Sequence, residues 1–127
     1  MSIPVTLLYG GLSALLLITL STYVSAQRGK YKSYIGDAPP VELQRVIRAH
    51  GNATEYVPIG ILMLLVLELS GLGSTALHVL GGGFLAGRVL HAAGTLTKTP
   101  LSTVGATINN IALVAMGGWA TYLHFVK

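Results

Sequence analysis

The stretch from Arg45 to Pro58 reads RVIRAHGNATEYVP and runs directly into IGILMLLVL, Ile59 to Leu67. No solvated loop tolerates so apolar a run, so the segment reads as a helix entering a hydrophobic environment. Two arginines, a histidine, an asparagine, a glutamate and a tyrosine at its mouth then need a reason. An ionised side chain near the bilayer centre costs ~2.5 to 3.5 kcal/mol even on the lenient insertion scales, so such groups face a partner or a wet cavity.

The rest of the chain agrees with a membrane setting. Its 127 residues have room for one domain, and 52% apolar against 9% charged residues is far from the mix of a soluble globule. Four stretches approach the ~20 helical residues that cross a hydrocarbon core; they cover about residues 3–26, 45–69, 74–95 and 101–126. The first and last carry no charge apart from the titratable His124, whereas the second holds Glu55 and Glu68 and the third ends in Arg88 and His91. Helices satisfy every backbone N–H and C=O inside lipid without a partner segment. SGLGS (Ser70–Ser74) and TLTKTP (Thr95–Pro100) make short connections. The expected fold is all-α, an integral membrane four-helix bundle running up-down-up-down. VSAQ at Val24–Gln27 resembles a cleavage site, but no positive residue precedes Arg28 and the apolar segment exceeds the ~7 to 15 residues of a secretory signal, so a retained helix is expected.

Seven of the eight Lys and Arg residues (Arg28, Lys30, Lys32, Arg45, Arg48, Arg88, Lys98) lie at the ends facing the first and third connections. The positive-inside rule puts those connections in the cytoplasm and both termini outside. The formal net charge of +4 then forms a basic collar suited to anionic lipid headgroups or an anionic ligand, and no separate basic domain exists for nucleic acid. Cysteine is absent, so any sulfur chemistry must come from a ligand. His50, His78, His91 and His124 are too scattered to suggest a metal site.

On a helix, Arg48, Asn52, Glu55 and Tyr56 stand at i, i+4, i+7 and i+8, one polar stripe. Arg45 lies nearer the aqueous end and reads as solvated or bound to lipid phosphate. A self-contained network of Arg48, Asn52 and Glu55 is one reading of the stripe. Against it, about 10 Å of axial rise separates Arg48 from Glu55, which predicts a gap rather than a direct pair. A zwitterionic molecule fits such a gap, its carboxylate on the arginine and its ammonium on the glutamate. Arg88 and His91, at i and i+3 on the third span with Thr95 one turn further, point to the same layer. Glu68 falls on another face near the outer end, where capping or a subunit contact is expected, and His78 and His124 read as interfacial. Sixteen glycines, among them Gly81, Gly82, Gly83 and Gly87 in GGGFLAG and Gly105 in the last span, predict close helix packing within or between subunits. Pro58 predicts a kink near Thr54 or Glu55.

In this order and on consecutive helices, RAHGNATEYVP (Arg48–Pro58) and GRVLHAAG (Gly87–Gly94) resemble the motifs of the MAPEG family, membrane-associated proteins in eicosanoid and glutathione metabolism. The resemblance covers nearly the whole chain. It implies a homotrimer with glutathione as cosubstrate, bound between neighbouring subunits near the cytoplasmic side. Arg48, Asn52, Glu55 and Tyr56 would then form the second-helix wall of that site, Arg88 and His91 its third-helix part, with Arg28 and His50 as further contacts. Relatives with defined synthase activity carry a tyrosine one turn after the position of His91 and an arginine soon after the proline opening the fourth helix; this chain has Thr95 and Ser102 there. A glutathione thiol needs help to ionise near neutral pH. Ser102 or Thr103 would donate to the thiolate, or Arg28 or Arg88 would take over.

The resulting expectation is an inner-membrane or plasma-membrane enzyme that conjugates glutathione to, or reduces with it, a lipophilic small-molecule substrate arriving from the lipids. Two alternatives differ in class. One is a non-catalytic glutathione- or lipid-binding protein on the same fold. The other is a small proton-coupled multidrug exporter, disfavoured because the first span has no acid.

Overall fold

The computed structural model describes residues 2–36 and 38–126. Four helices account for nearly all of them: α1 (Pro4–Tyr31), α2 (Val41–Leu69), α3 (Ser74–Thr97) and α4 (Leu101–Val126), with no strand among the described residues. α1, α2 and α4 are long and apolar enough to cross a membrane. α3 is not among them, since five glycines add little hydropathy and His78, Arg88 and His91 reduce it. Its 24 residues still reach about 36 Å at 1.5 Å per residue, enough for a ~30 Å core.

The helices overrun the apolar segments at the basic end. α1 continues past Ala26 to Tyr31 and closes on Lys32, left-handed at φ 50°, whose N–H reaches the Arg28 and Gly29 carbonyls. α2 starts at Val41, directly after Pro40, with Glu42 in its first turn where the helix dipole favours an acid. Hydropathy marks where side chains become apolar, but backbone hydrogen bonding does not stop at that line. α2 also runs as one helix through Pro58; the missing N–H falls opposite the Thr54 carbonyl.

Neighbouring helices are antiparallel. The α1 N-terminus lies beside the α2 C-terminus, where Glu68 Oε1 and Oε2 accept hydrogen bonds from the Val5 and Thr6 backbone N–H groups at 2.9 and 2.7 Å. α1 has no cap of its own and no acid in its first turn, so Glu68 supplies both acceptor and charge from across the bundle. Capping was one of the two roles expected for it. Deeper in, Val57, Leu64, Leu77, Phe84, Ala112 and Met116 form the main core, and a smaller cluster of Leu20, Ala49, Ala53 and Ala92 underlies the basic end.

The glycines of GGGFLAG divide their work. A Cβ on Gly81 would lie 2.5 Å from the Tyr9 ring, so Gly81 seats α1 against α3; one on Gly87 would lie 2.8 Å from the Gly105 carbonyl, so α3 and α4 meet backbone to backbone. Gly83 has nothing within 4 Å and is left on an open face of the bundle.

Candidate functional site

The polar groups of α2 and α3 converge. Arg88, only 2% exposed, donates from Nη1 to Asn52 Oδ1 at 2.5 Å and places its guanidinium 4.6 Å from the centroid of the Tyr56 ring. This cation over an aromatic face, with a charge-assisted hydrogen bond beside it, ties the third helix to the second at the level of the stripe. Arg88 Nε is buried without a partner.

Arg48 and Glu55 correct the sequence-based expectation of a gap. They form a two-pronged ion pair, Nη1 to Oε1 at 3.1 Å and Nη2 to Oε2 at 3.2 Å. Seven residues bring the helix round to within ~20° of the same face. Helical side chains lean toward the N-terminus, so Glu55 tilts back toward Arg48 and the long arginine stem spans the remainder. Both side chains are still outward-facing, 60% and 53% exposed. The pair is accessible to an incoming carboxylate and ammonium.

Arg28, His50, Ser102 and Thr103 sit at the same end of the bundle without joining this cluster, whereas His91 lies within electrostatic reach of both Arg88 and Arg48. Arg28, in the last turn of α1, reaches the Ser33 carbonyl at 3.5 Å. His50 is half-buried near the start of α2. The His91 backbone lies against Gly105 of α4, and its carbonyl accepts from Thr95 Oγ1 at 2.8 Å. Ser102, half-buried in the first turn of α4, rests on Gly94 and donates from Oγ to the Thr99 carbonyl at 3.2 Å; Thr103 is exposed. Among the described residues α1 and α4 make no contact within the protomer, so Arg28 and Ser102 stand on helices that are not neighbours.

Residues 6–122 match the sequence profile of the MAPEG family. The chain is 45% identical over 87 residues to the inner membrane protein YecN of Escherichia coli strain K12, across 68% of this chain and 66% of that protein. The same figures hold for YecN of a second Escherichia coli strain. The match therefore spans slightly less than two thirds of the length of these relatives.

The chain belongs to the MAPEG family. With its membrane-length helices and its similarity to YecN, it is a multi-pass inner-membrane protein. In this MAPEG chain both family-like stretches contribute to a single contact layer, because Asn52 and Tyr56 come from the first and Arg88 from the second.

Two polar contacts escaped the sequence reading. Asn109 of α4, fully buried, donates from Nδ2 to the Phe84 carbonyl at 3.2 Å and fastens α4 to α3. The pair Asn109–Asn110 inside an apolar span was the available signal. The Tyr9 hydroxyl lies 3.1 Å from His78 Nδ1 and donates to the His78 carbonyl at 3.2 Å. Nothing in local periodicity links residues 69 positions apart.

Proposed function

We propose that this MAPEG protein assembles as a homotrimer, binds glutathione on the α2 stripe at a seam between subunits, and uses its thiolate to conjugate or reduce a lipophilic electrophile. One observation carries the reading: a two-pronged Arg48–Glu55 ion pair faces outward from a membrane helix, more than half exposed. Counted back from Leu69 at the outer end of α2, Glu55 lies about 21 Å along the axis and so inside a ~30 Å core, in its cytoplasmic third. Left against acyl chains, such a pair would be costly. A second copy covering it, with a hydrophilic ligand enclosed, removes that cost. The separation of α1 from α4 supports the same seam, since a neighbouring copy can bring its Ser102 to Arg28.

Glutathione offers a zwitterionic γ-glutamyl end. Its carboxylate takes the place of Glu55 on Arg48, and its ammonium takes the place of Arg48 on Glu55, with Asn52 beside them. Arg88 acts as a positioning residue, holding Asn52 and Tyr56. Ser102 or Thr103 donates to the sulfur. The thiol gives its proton to water, the thiolate forms a bond to the electrophilic carbon, and the leaving group departs with the electron pair; with a hydroperoxide, sulfur takes the terminal oxygen to become a sulfenic acid, the alkoxide takes a proton from water and leaves as the alcohol, and a second glutathione displaces water to give the disulfide. The apolar substrate enters along lipid-facing grooves such as the one lined by Leu72, Val79, Leu80 and Trp119.

A non-catalytic binding role is the second reading. It is favoured by Ser102, whose hydroxyl is already engaged with the Thr99 carbonyl. Purified protein incubated with glutathione and a chlorodinitrobenzene-type electrophile decides between them. Turnover above the spontaneous rate, from a species of three times the protomer mass, supports the enzyme. Thermal stabilisation by glutathione without turnover supports the binding role, and neither effect contradicts both.

A further inference from the structure

A second polar concavity lies apart from the Arg48–Glu55 pair. It is a cleft of about 240 Å³ where the last turn of α1, the first turn of α2 and the end of α3 meet, with Lys30, Arg45 and Lys98 on its walls beside Glu42. Three cations against one carboxylate leave an excess of two positive charges. No ion pair joins these cations to Glu42 among the described residues. Arg45 Nε is buried in the protein with no hydrogen-bond acceptor, an orphaned donor of the kind that a ligand oxygen satisfies.

Lys98, on the wall of the cleft, ends its helix as Lys32 ends α1 away from it. It closes α3 in the left-handed conformation at φ 58°, where helices characteristically end in glycine. A long cationic side chain is thus held at a backbone position that disfavours any side chain, and it is held over this cleft.

The cleft also has an apolar continuation. Tyr23 lines it and also borders a shallow, mostly apolar face of α1 formed with Ile18, Thr19, Thr22 and Ala26. Cationic mouth, tyrosine at the junction and apolar face toward the membrane interior follow the order of a phospholipid's parts, and a soluble anion has no use for that face.

The geometry points to a lipid site: Lys30, Arg45 and Lys98 hold the phosphate of an anionic phospholipid, Glu42 accepts a headgroup hydroxyl, and one acyl chain lies along the Tyr23 face of α1. Arg48, Asn52 and Glu55 do not line this cleft, so the site stands whether or not glutathione binds.

The test is native mass spectrometry of the full-length protein, stripped of lipid in mild detergent and titrated with phosphatidylglycerol or phosphatidylcholine, with excess inorganic phosphate as competitor. Phosphatidylglycerol should be retained about tenfold more strongly than phosphatidylcholine and resist displacement by phosphate. Arg45→Gln should weaken that retention about tenfold, and Lys98→Gly should weaken it while raising the Tm of the lipid-free protein. Arg48→Gln should leave it unchanged. Equal retention of the two lipids, equal retention by both cleft variants, or displacement by inorganic phosphate overturns the proposal.

Discussion

Arg88 of α3 donates to Asn52 of α2 and lies over the ring of Tyr56, one turn further along the same helix. A single buried guanidinium therefore fixes two members of the polar stripe and couples the two motif helices. Replacing Arg88 with Ala removes a charge-assisted hydrogen bond and a cation–π contact and leaves a cavity. A loss of about 2–4 kcal/mol is expected in detergent unfolding. Arg88→Lys should not restore it, because an ammonium has no planar fork to stack on Tyr56 while reaching Asn52. Thermal unfolding of the two variants against wild type checks this.

The Arg48–Glu55 pair should behave oppositely. More than half of each side chain is exposed, so in detergent without ligand the pair contributes at most about 1 kcal/mol. Arg48→Gln, Glu55→Gln and the double variant should unfold within that margin of the parent, with a small coupling energy in the double-mutant cycle. A stability loss of several kcal/mol would make the pair a structural staple.

Glu68 caps a helix other than its own. Glu68→Ala removes both acceptors from the Val5 and Thr6 N–H groups and should lower stability by about 0.5–2 kcal/mol. Glu68→Gln, which keeps one acceptor, should recover part of that loss. Hydrogen exchange at the first turn of α1 would show the fraying locally.

Gly105 lies against the His91 backbone and the Gly87 carbonyl, with no flexible side chain to yield, whereas Gly11 has open space around it. Gly105→Ala should therefore force α3 and α4 apart at a cost of about 1–3 kcal/mol. Gly11→Ala, inside α1, should gain only the helix propensity, about 0.5–1 kcal/mol, and the comparison of the two by thermal unfolding isolates packing from that gain.

The four helices were legible because apolar length is a direct consequence of crossing lipid, whereas Glu68 was legible only as a cap or a subunit contact, and that it caps α1 rather than its own helix was not. That Asn52 and Tyr56 share one face of α2 was visible from helical spacing, and the up-down order of the helices put Arg88 at the same end of the bundle; that Arg88 touches both was not visible. The direct Arg48–Glu55 contact was not, because axial rise measures backbone separation and ignores both the lean of Glu55 and the length of arginine. Asn109 and the Tyr9–His78 contact were hidden for another reason: each partner lies on a different helix, and periodicity describes only one helix at a time. The lysines in left-handed backbone, Lys32 and Lys98, carry no local mark either, since glycine is the residue that spacing rules expect there.

The central claim is that the outward-facing pair on α2 is the grip on glutathione, and calorimetric titration with glutathione tests it most directly. Wild type, Arg48→Gln and Glu55→Gln are compared at the same native mass. The account predicts saturable binding to the wild type and at least about a tenfold loss of affinity in each variant, the scale of a charge-assisted hydrogen bond lost to a ligand. Equal affinity in all three would contradict it.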